Sequence, residues 1–388
     1  MKKRKIIHIY RRDYNSYFPQ KDSEYYYLAG WSSAVARQTV RIDNKYTVEC
    51  WRPDREIKKI LVLNVQGIIC RLFPAKHIRF FGDWSFSLLK ELKKQSKGSE
   101  IIIHHSSIHN YLLYLIAILF PHVPIVAQHH GDRPALAVFP RRKKFVSIVI
   151  NYIEKKSLKN IDHLFVLDKK EMEFLSKLIP RFRIGLQTMG VDFDKFKPVN
   201  KKKAREKLDL PEGKKIMLYI GKFYRLKGVD VILRTFQDLK RKYDIELILI
   251  GGSCSDPLYE EMKASGAKCF KYISHNNLPL FYSAADVYLL PSFSLDYAGG
   301  IGVAVIESLA CGVPVVSTTL KYFPKNELHK VGKIPRDEND VERCVSEILE
   351  NPSDYSNCRN VAKNVFSWEK IIKNTVHIYD KLFKEYYS

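Results

Sequence analysis

The chain has 388 residues, 46% hydrophobic and 28% charged, a composition that excludes a disordered tail, a collagen and a long coiled coil. Its length suits two domains. Lys and Arg number 65 against 42 Asp and Glu, a net charge of +23, and residues 1–199 hold 36 of the basic and 18 of the acidic residues. The positive field of the front half draws polyanions: nucleic acid, an anionic bilayer or phosphorylated substrates.

The elements alternate from the start. The basic lead MKKRK precedes an apolar run of about five residues, short of the roughly 7–15 of a signal peptide, and reads as a first buried strand at 5–10. A helix is predicted over 26–41 and a strand over 46–51, then an amphipathic helix over 86–95. Residues 101–131 carry no Lys, Arg, Asp or Glu before Asp132. Pro121 and Pro124 interrupt this stretch, which falls short of the ~20 apolar residues of a membrane span. It reads as the strand IIIHH, a helix over 109–120 and the strand PIVAQ, followed by a helix over 145–160 and a strand over 163–168.

The polar segment 192–213, with two prolines, is the predicted domain boundary. Beyond it the alternation restarts. Strands are predicted at 215–221, 245–252, 267–273, 286–292 and 313–318, and helices at 228–241, 257–265, 302–312, 340–350 and 368–384. Both halves read as doubly wound α/β domains, whose ligands sit at the carboxyl ends of the strands. Seven cysteines, odd in number and never paired as CxxC, suit a reducing compartment and give neither a disulfide framework nor a zinc site.

Three motifs fall at strand ends. GKFYRLKG (221–228) leaves a strand through Gly221 and brings Lys222 and Lys227 to a helix N-terminus, a place that favours a diphosphate. The alternative reading is two solvated lysines. In LPSFSLDYAGGIGVAVIESLACGVPVVST (290–318), glycines let the backbone approach a ligand, and Glu307 follows on the helix, where a carboxylate suits the paired hydroxyls of a ribose. The alternative is a turn with a surface Glu. PIVAQHHGD (124–132) places His129 and His130 beyond a strand end, as catalytic, ligand-binding or plain loop residues, with no further metal ligands at matching spacing.

In order and spacing these motifs resemble the family 4 glycosyltransferases of the GT-B fold, over almost the whole chain. The resemblance implies two Rossmann-like parallel-sheet domains facing across a cleft. Residues 1–195 would bind the acceptor and 196–365 the nucleotide-sugar donor, with a helix over 366–388 crossing back to the first domain. It implies a retaining, metal-independent hexosyltransferase without a cofactor. The enzyme would move a sugar from a UDP- or GDP-sugar to a glycan or lipid-linked acceptor in cell-surface glycoconjugate synthesis. Gly30 resembles the family's N-terminal glycine loop, and His130 its histidine near the transferred sugar, with His129 beside it. The phosphate-binding pair falls on Lys222 and Lys227, the first a Lys where the family has Arg, which keeps the charge and loses the bidentate fork. The ribose carboxylate falls on Glu307, and the backbone of Ile301, Gly302 and Val303 would line the donor.

The family's other Glu, eight positions earlier, is Gly299 here, so Asp296 or the Gly299 and Gly300 amides would have to serve. That departure keeps a second reading open, a catalytically inactive relative that binds a nucleotide sugar or a partner protein. The basic run Arg141, Arg142, Lys143 and Lys144, with Phe80, Phe81 and Trp84 near a second basic cluster, suits an anionic membrane surface. The expected location is therefore cytoplasmic, peripheral on the inner face of the membrane. No nucleic-acid reader module is recognisable.

Overall fold

The computed structural model describes residues 4–10, 28, 33–78, 82–106, 111–129, 144–293 and 300–388, with the backbone alone for 144–151. The chain forms two compact units, Met1–Thr188 with Ile371–Ser388, and Met189–Lys370.

The first unit is built on an eight-stranded sheet. Its strands are β1 (Arg4–Ile9), β2 (Thr47–Asp54), β3 (Leu61–Val65), β4 (Ile68–Pro74), β7 (Glu100–His105), β8 (Ile125–Gln128), β9 (His163–Val166) and β10 (Ile184–Leu186). A separate hairpin pairs β5 (Lys76–Ile78) with β6 (Gly82–Trp84). The sheet order is β10-β9-β8-β7-β1-β2-β4-β3, parallel except for β3. One face packs Ile7, Ile9, Ile101, Ile103, Ile125, Ala127, Leu164 and Val166 into the core. The alternation of strand side chains turns His8, His104, Gln128 and His163 to the other face. There the C-terminal helix Trp368–Tyr387 reaches them, Tyr379 Oη lying 2.5 Å from His104 Nδ1.

The hairpin β3–β4 is absent from the expectation drawn above. Leu61 and Val62 are exposed, so β3 shows no clean apolar alternation, and its turn uses Gln66 at φ 53° and Gly67 at φ 80°, a two-residue left-handed turn without the Asn-Gly or Asp-Gly signature. Of the helix predicted over 26–41, the structure shows Ala34–Ile42, and most of 26–32 lies outside the described residues. The apolar stretch at 109–120 forms a helix of nine residues, Tyr111–Leu119. Among the described residues no helix is long and apolar enough to cross a membrane.

The second unit carries β11 (Lys215–Ile220), β12 (Ile245–Ile250), β13 (Lys268–Phe270), β14 (Val287–Leu290), β15 (Val315–Ser317) and β16 (Gly332–Lys333). The order is β13-β12-β11-β14-β15-β16, all parallel. In chain order within the unit that is 3-2-1-4-5-6, the doubly wound arrangement, and it reverses between β11 and β14. The polar segment 192–213 is folded into this unit. Asn200 caps the helix Lys201–Lys207. Arg205 then pairs with Asp286 at 2.8 Å and donates to the carbonyls of Ala284, Glu212 and Lys214.

Candidate functional site

The strand order reverses between β11 and β14, and in doubly wound sheets ligands bind at such a point, beyond the strands' carboxyl ends. Both lysines of the first motif and the carboxylate of the second stand there.

The β11 loop is fixed from below. A Cβ on Gly221 would lie 2.7 Å from the Tyr219 hydroxyl, which instead donates to the Lys222 carbonyl at 2.7 Å. Asp256, itself buried, accepts the amides of Phe223 at 3.0 Å and Ser253 at 3.1 Å through one oxygen and so ties the β11 loop to the β12 loop. A 3-10 turn, Arg225–Lys227, leads to Gly228 at φ +71°, which starts the helix Val229–Leu239. A Cβ on Gly228 would stand 2.0 Å from the Pro291 carbonyl oxygen, so only glycine lets the β11 and β14 loops meet.

The two lysines differ. Lys222 is exposed, with its ammonium 6.0 Å from the Tyr224 ring centre. Lys227 is partly buried, and desolvation pulls its pKa below the ordinary lysine value. Its ammonium has no hydrogen-bond or ion-pair partner among the described residues. A cation held out of water without a counter-ion, beside the first turn of a helix, is a place for an anion.

The β14 loop begins with Pro291 and Ser292. Ser292 is buried, and its hydroxyl has no partner among the described residues. Further along, Gly300 stands at φ +74°, Ile301 is buried, and Gly302 precedes the helix Val303–Ala310. The first helical bond runs from the Val305 amide to the Gly302 carbonyl at 3.0 Å, which leaves the Val303 and Ala304 amides ahead of it.

Glu307 is 5% exposed on this helix. One oxygen accepts from Tyr282 Oη at 2.9 Å, the other from His275 Nε2 at 2.8 Å. Tyr282 is fully buried on the helix Leu278–Ala284, and burial pushes its hydroxyl pKa well up, so it stays a donor. His275 lies on the loop before that helix, and its Nδ1 is 2.8 Å from Lys195 Nζ. Tyr282, His275, Lys195, Ser292 and Asp256 had no role in the sequence reading. Tyr282 stands just ahead of the predicted strand 286–292, on a helix, Leu278–Ala284, that the sequence reading does not include. Nothing local marks His275 or Lys195.

In the first unit, His129 follows β8. It is buried, its amide donates to the Phe165 carbonyl at 2.8 Å, and Nδ1 contacts the Glu171 carboxylate. His129 is thus engaged with the protein itself. Gly30, His130, Arg141, Arg142, Lys143, Asp296 and Gly299 lie outside the described residues, as does the side chain of Lys144. Among the described residues no group of three or more His, Cys, Asp and Glu could hold a metal ion.

Residues 200–365, which contain Lys222, Lys227, His275, Tyr282 and Glu307, match the family described as Glycosyl transferases group 1. The chain is 31% identical over 150 residues to D-inositol 3-phosphate glycosyltransferase 2 of Catenulispora acidiphila, covering 35% of this chain and 34% of that one. It is 26% identical over 249 residues to D-inositol 3-phosphate glycosyltransferase of Mycolicibacterium smegmatis, covering 60% and 56%. The matches therefore span about a third to just over half of these curated relatives. Among solved structures, a glycosyltransferase from Rickettsia africae superposes with a TM-score of 0.70 at 16% identity, over 98% of this chain and 99% of that one. Anabaena HepE in complex with UDP gives 0.69 at 12%, over 97% and 100%. Sucrose-phosphate synthase from Thermosynechococcus elongatus gives 0.67 at 20%, over 91% and 92%. The fold is the GT-B fold of glycosyltransferases.

Proposed function

We propose that this chain is a glycosyltransferase that takes a sugar from a nucleoside-diphosphate sugar and passes it, with retention of configuration, to a glycan or lipid-linked acceptor. One observation carries the reading: the Lys227 ammonium, partly buried and without a counter-ion among the described residues, on the loop that meets the β14 loop at Gly228 and Pro291. The match of residues 200–365 to group 1 glycosyl transferases supports it.

The chemistry follows from charge. As the anomeric bond breaks, negative charge grows on the departing diphosphate. Lys227, Lys222, the helix N-termini at Gly228 and Gly302 and the backbone of Ile301 and Val303 stabilise it without reorganising. Glu307 accepts the ribose hydroxyls. In this reading the lysines supply the positive charge and neither metal nor cofactor takes part. Retention comes from attack on the face the diphosphate leaves, with its own oxygen taking the acceptor's proton. His130 would stand near the transferred sugar. HepE is solved with UDP and with UDP-glucose, and a starch synthase with ADP and acarbose, so UDP, GDP and ADP all belong in the test.

The acceptor side is proposed to be membrane-proximal. The protein would then be cytoplasmic and peripheral on the inner face of the membrane, with the basic front half and the exposed Phe86 of the first unit toward anionic lipid. Neutralising Arg141–Lys144 should reduce co-sedimentation with anionic vesicles. Unchanged binding removes that site. The second reading, an inactive nucleotide-sugar binder, draws on Gly299 at the position where the family has Glu.

The deciding experiment is a thermal-shift screen against UDP, GDP, ADP and their sugars, followed by transfer from the radiolabelled sugar of the binding nucleotide to membrane extracts. A ligand at a hundred times its dissociation constant stabilises by about 2.7 kcal/mol. A shift lost in Glu307→Ala and Lys227→Ala, with label transferred, supports the enzyme. A shift with neither transfer nor donor hydrolysis supports the inactive relative. No shift with any nucleotide refutes both.

A further inference from the structure

Glu307 does not stand alone, and the way it is held has a consequence for the nucleotide, provided the donor-site reading above is right. A buried carboxylate needs hydrogen-bond donors, and which ones it has decides where its remaining lone pairs point. Tyr282 Oη at 2.9 Å takes one position on Oε2 from the packed interior. His275 Nε2 at 2.8 Å takes one on Oε1, from a side chain 59% exposed.

The state of His275 is set by its other nitrogen. Lys195 Nζ lies 2.8 Å from Nδ1, and an ammonium only donates, so Nδ1 accepts. The imidazole therefore carries its proton on Nε2 and gives it to Glu307. The ring is also held sideways by the buried Phe196, at 5.0 Å in an edge-on contact, while Lys195 lies 5.7 Å over the Phe196 ring. Lys195, Phe196 and His275 belong to two segments about 80 residues apart in sequence.

We infer that His275 is a positioning residue of the nucleotide site: held as the Nε2–H tautomer by Lys195, it orients the Glu307 carboxylate for the two hydroxyls of a ribose. Each carboxylate oxygen has two acceptor positions. With one on each taken by the protein, one on each remains, matched to a vicinal diol. A carboxylate free to rotate would offer that pair only part of the time.

The test uses the full chain and titration calorimetry with UDP, GDP and ADP, carried on with whichever binds, and with its 2′-deoxy analogue. Glu307→Ala tests the donor-site reading; His275→Ala and His275→Gln test the inference. His275→Ala is expected to weaken binding about tenfold, as for one hydrogen bond to a charged group, and to reduce the preference for ribose over deoxyribose. His275→Gln, whose amide can still donate, should stay within about threefold of the parent. The double variant with Glu307→Ala should bind no more weakly than Glu307→Ala alone, since both act through one contact.

If Glu307→Ala loses binding while His275→Ala binds as the parent does, or more tightly, the reading of the site stands and the inference is overturned. An additive double variant overturns it too, because His275 would then act elsewhere. If no nucleotide binds, or Glu307→Ala changes nothing, the donor-site reading fails and the inference falls with it.

Discussion

Acid should loosen the first unit at the helix that closes its sheet. His8 and His104 stack at 4.7 Å on the face beneath the helix Trp368–Tyr387, His104 is bound to Tyr379, and His163 stands two strands away on the same face. All three are at most 8% exposed. Burial lowers each pKa: that of His104 falls to about 3, that of His163 to about 4 with Lys381 adding to the effect, and that of His8 well below the ordinary value, with His104 adding. The unfolded chain takes up a proton on His104 and His163 near pH 6.5, while the folded chain does not until near pH 3–4, so stability is lost as pH falls through that window, and His8 acts in the same direction. His104 and His163 each cost about 1.4 kcal/mol per pH unit below 6.5, hence about 2 kcal/mol apiece at pH 5.0 and about 4 kcal/mol together. That is a large share of a typical 5–15 kcal/mol. Hydrogen exchange, corrected for its intrinsic pH dependence, should show protection in 371–388 and in β7 falling between pH 7.5 and 5.0 by more than in β11 of the second unit. His163→Gln should remove about 2 kcal/mol of the difference. Equal loss in both units, or a slope that His163→Gln leaves unchanged, would refute the reasoning.

Three further outcomes follow from the site. Lys227→Met should raise the melting temperature of the free protein, because it removes a desolvated charge, yet weaken a nucleoside diphosphate roughly 10- to 100-fold while leaving the nucleoside alone unaffected; calorimetry with UDP and uridine, or the matching pair for another base, reads both. Gly228→Ala should destabilise the second unit by at least about 3 kcal/mol, since a Cβ 2.0 Å from the Pro291 oxygen adds a backbone clash to the left-handed φ of +71°; urea unfolding checks this. Donor binding and transfer should be unchanged in excess EDTA, since Lys222 and Lys227 supply the positive charge in the proposed mechanism; loss restored by Mg²⁺ would overturn that part.

How much of this was written locally is visible residue by residue. The alternation of apolar runs placed β11, β12 and β14 within a residue or two of their observed bounds, because a strand buried on both faces is a short continuous apolar run. The glycines of GKFYRLKG and GGIGVAVIES marked where backbone must come close. Glu307 is singled out as a candidate by its place on the helix after that loop. The hairpin β3–β4 escaped because its exposed Leu61 and Val62 and its Gln66-Gly67 turn carry neither signal. The helix Lys201–Lys207 escaped because its sequence, KKKAREK, is polar around most of its surface and is fixed by Arg205 reaching Asp286.

What the sequence determined by itself, then, is the set of elements and the chemistry at their ends, since hydrophobic period, caps and turn glycines act over a few residues. The tertiary structure alone decided which ends meet. Strand order 3-2-1-4-5-6 sets the β11 and β14 loops side by side, about 70 residues apart in the chain. It also brings His275 and Tyr282 to Glu307 from 32 and 25 residues away and Lys195 to His275 from 80. It withdraws the Lys227 side chain from water while leaving Lys222 in it. These are contacts across the fold, fixed by strand pairing and packing, and no local pattern encodes which partner a side chain will find.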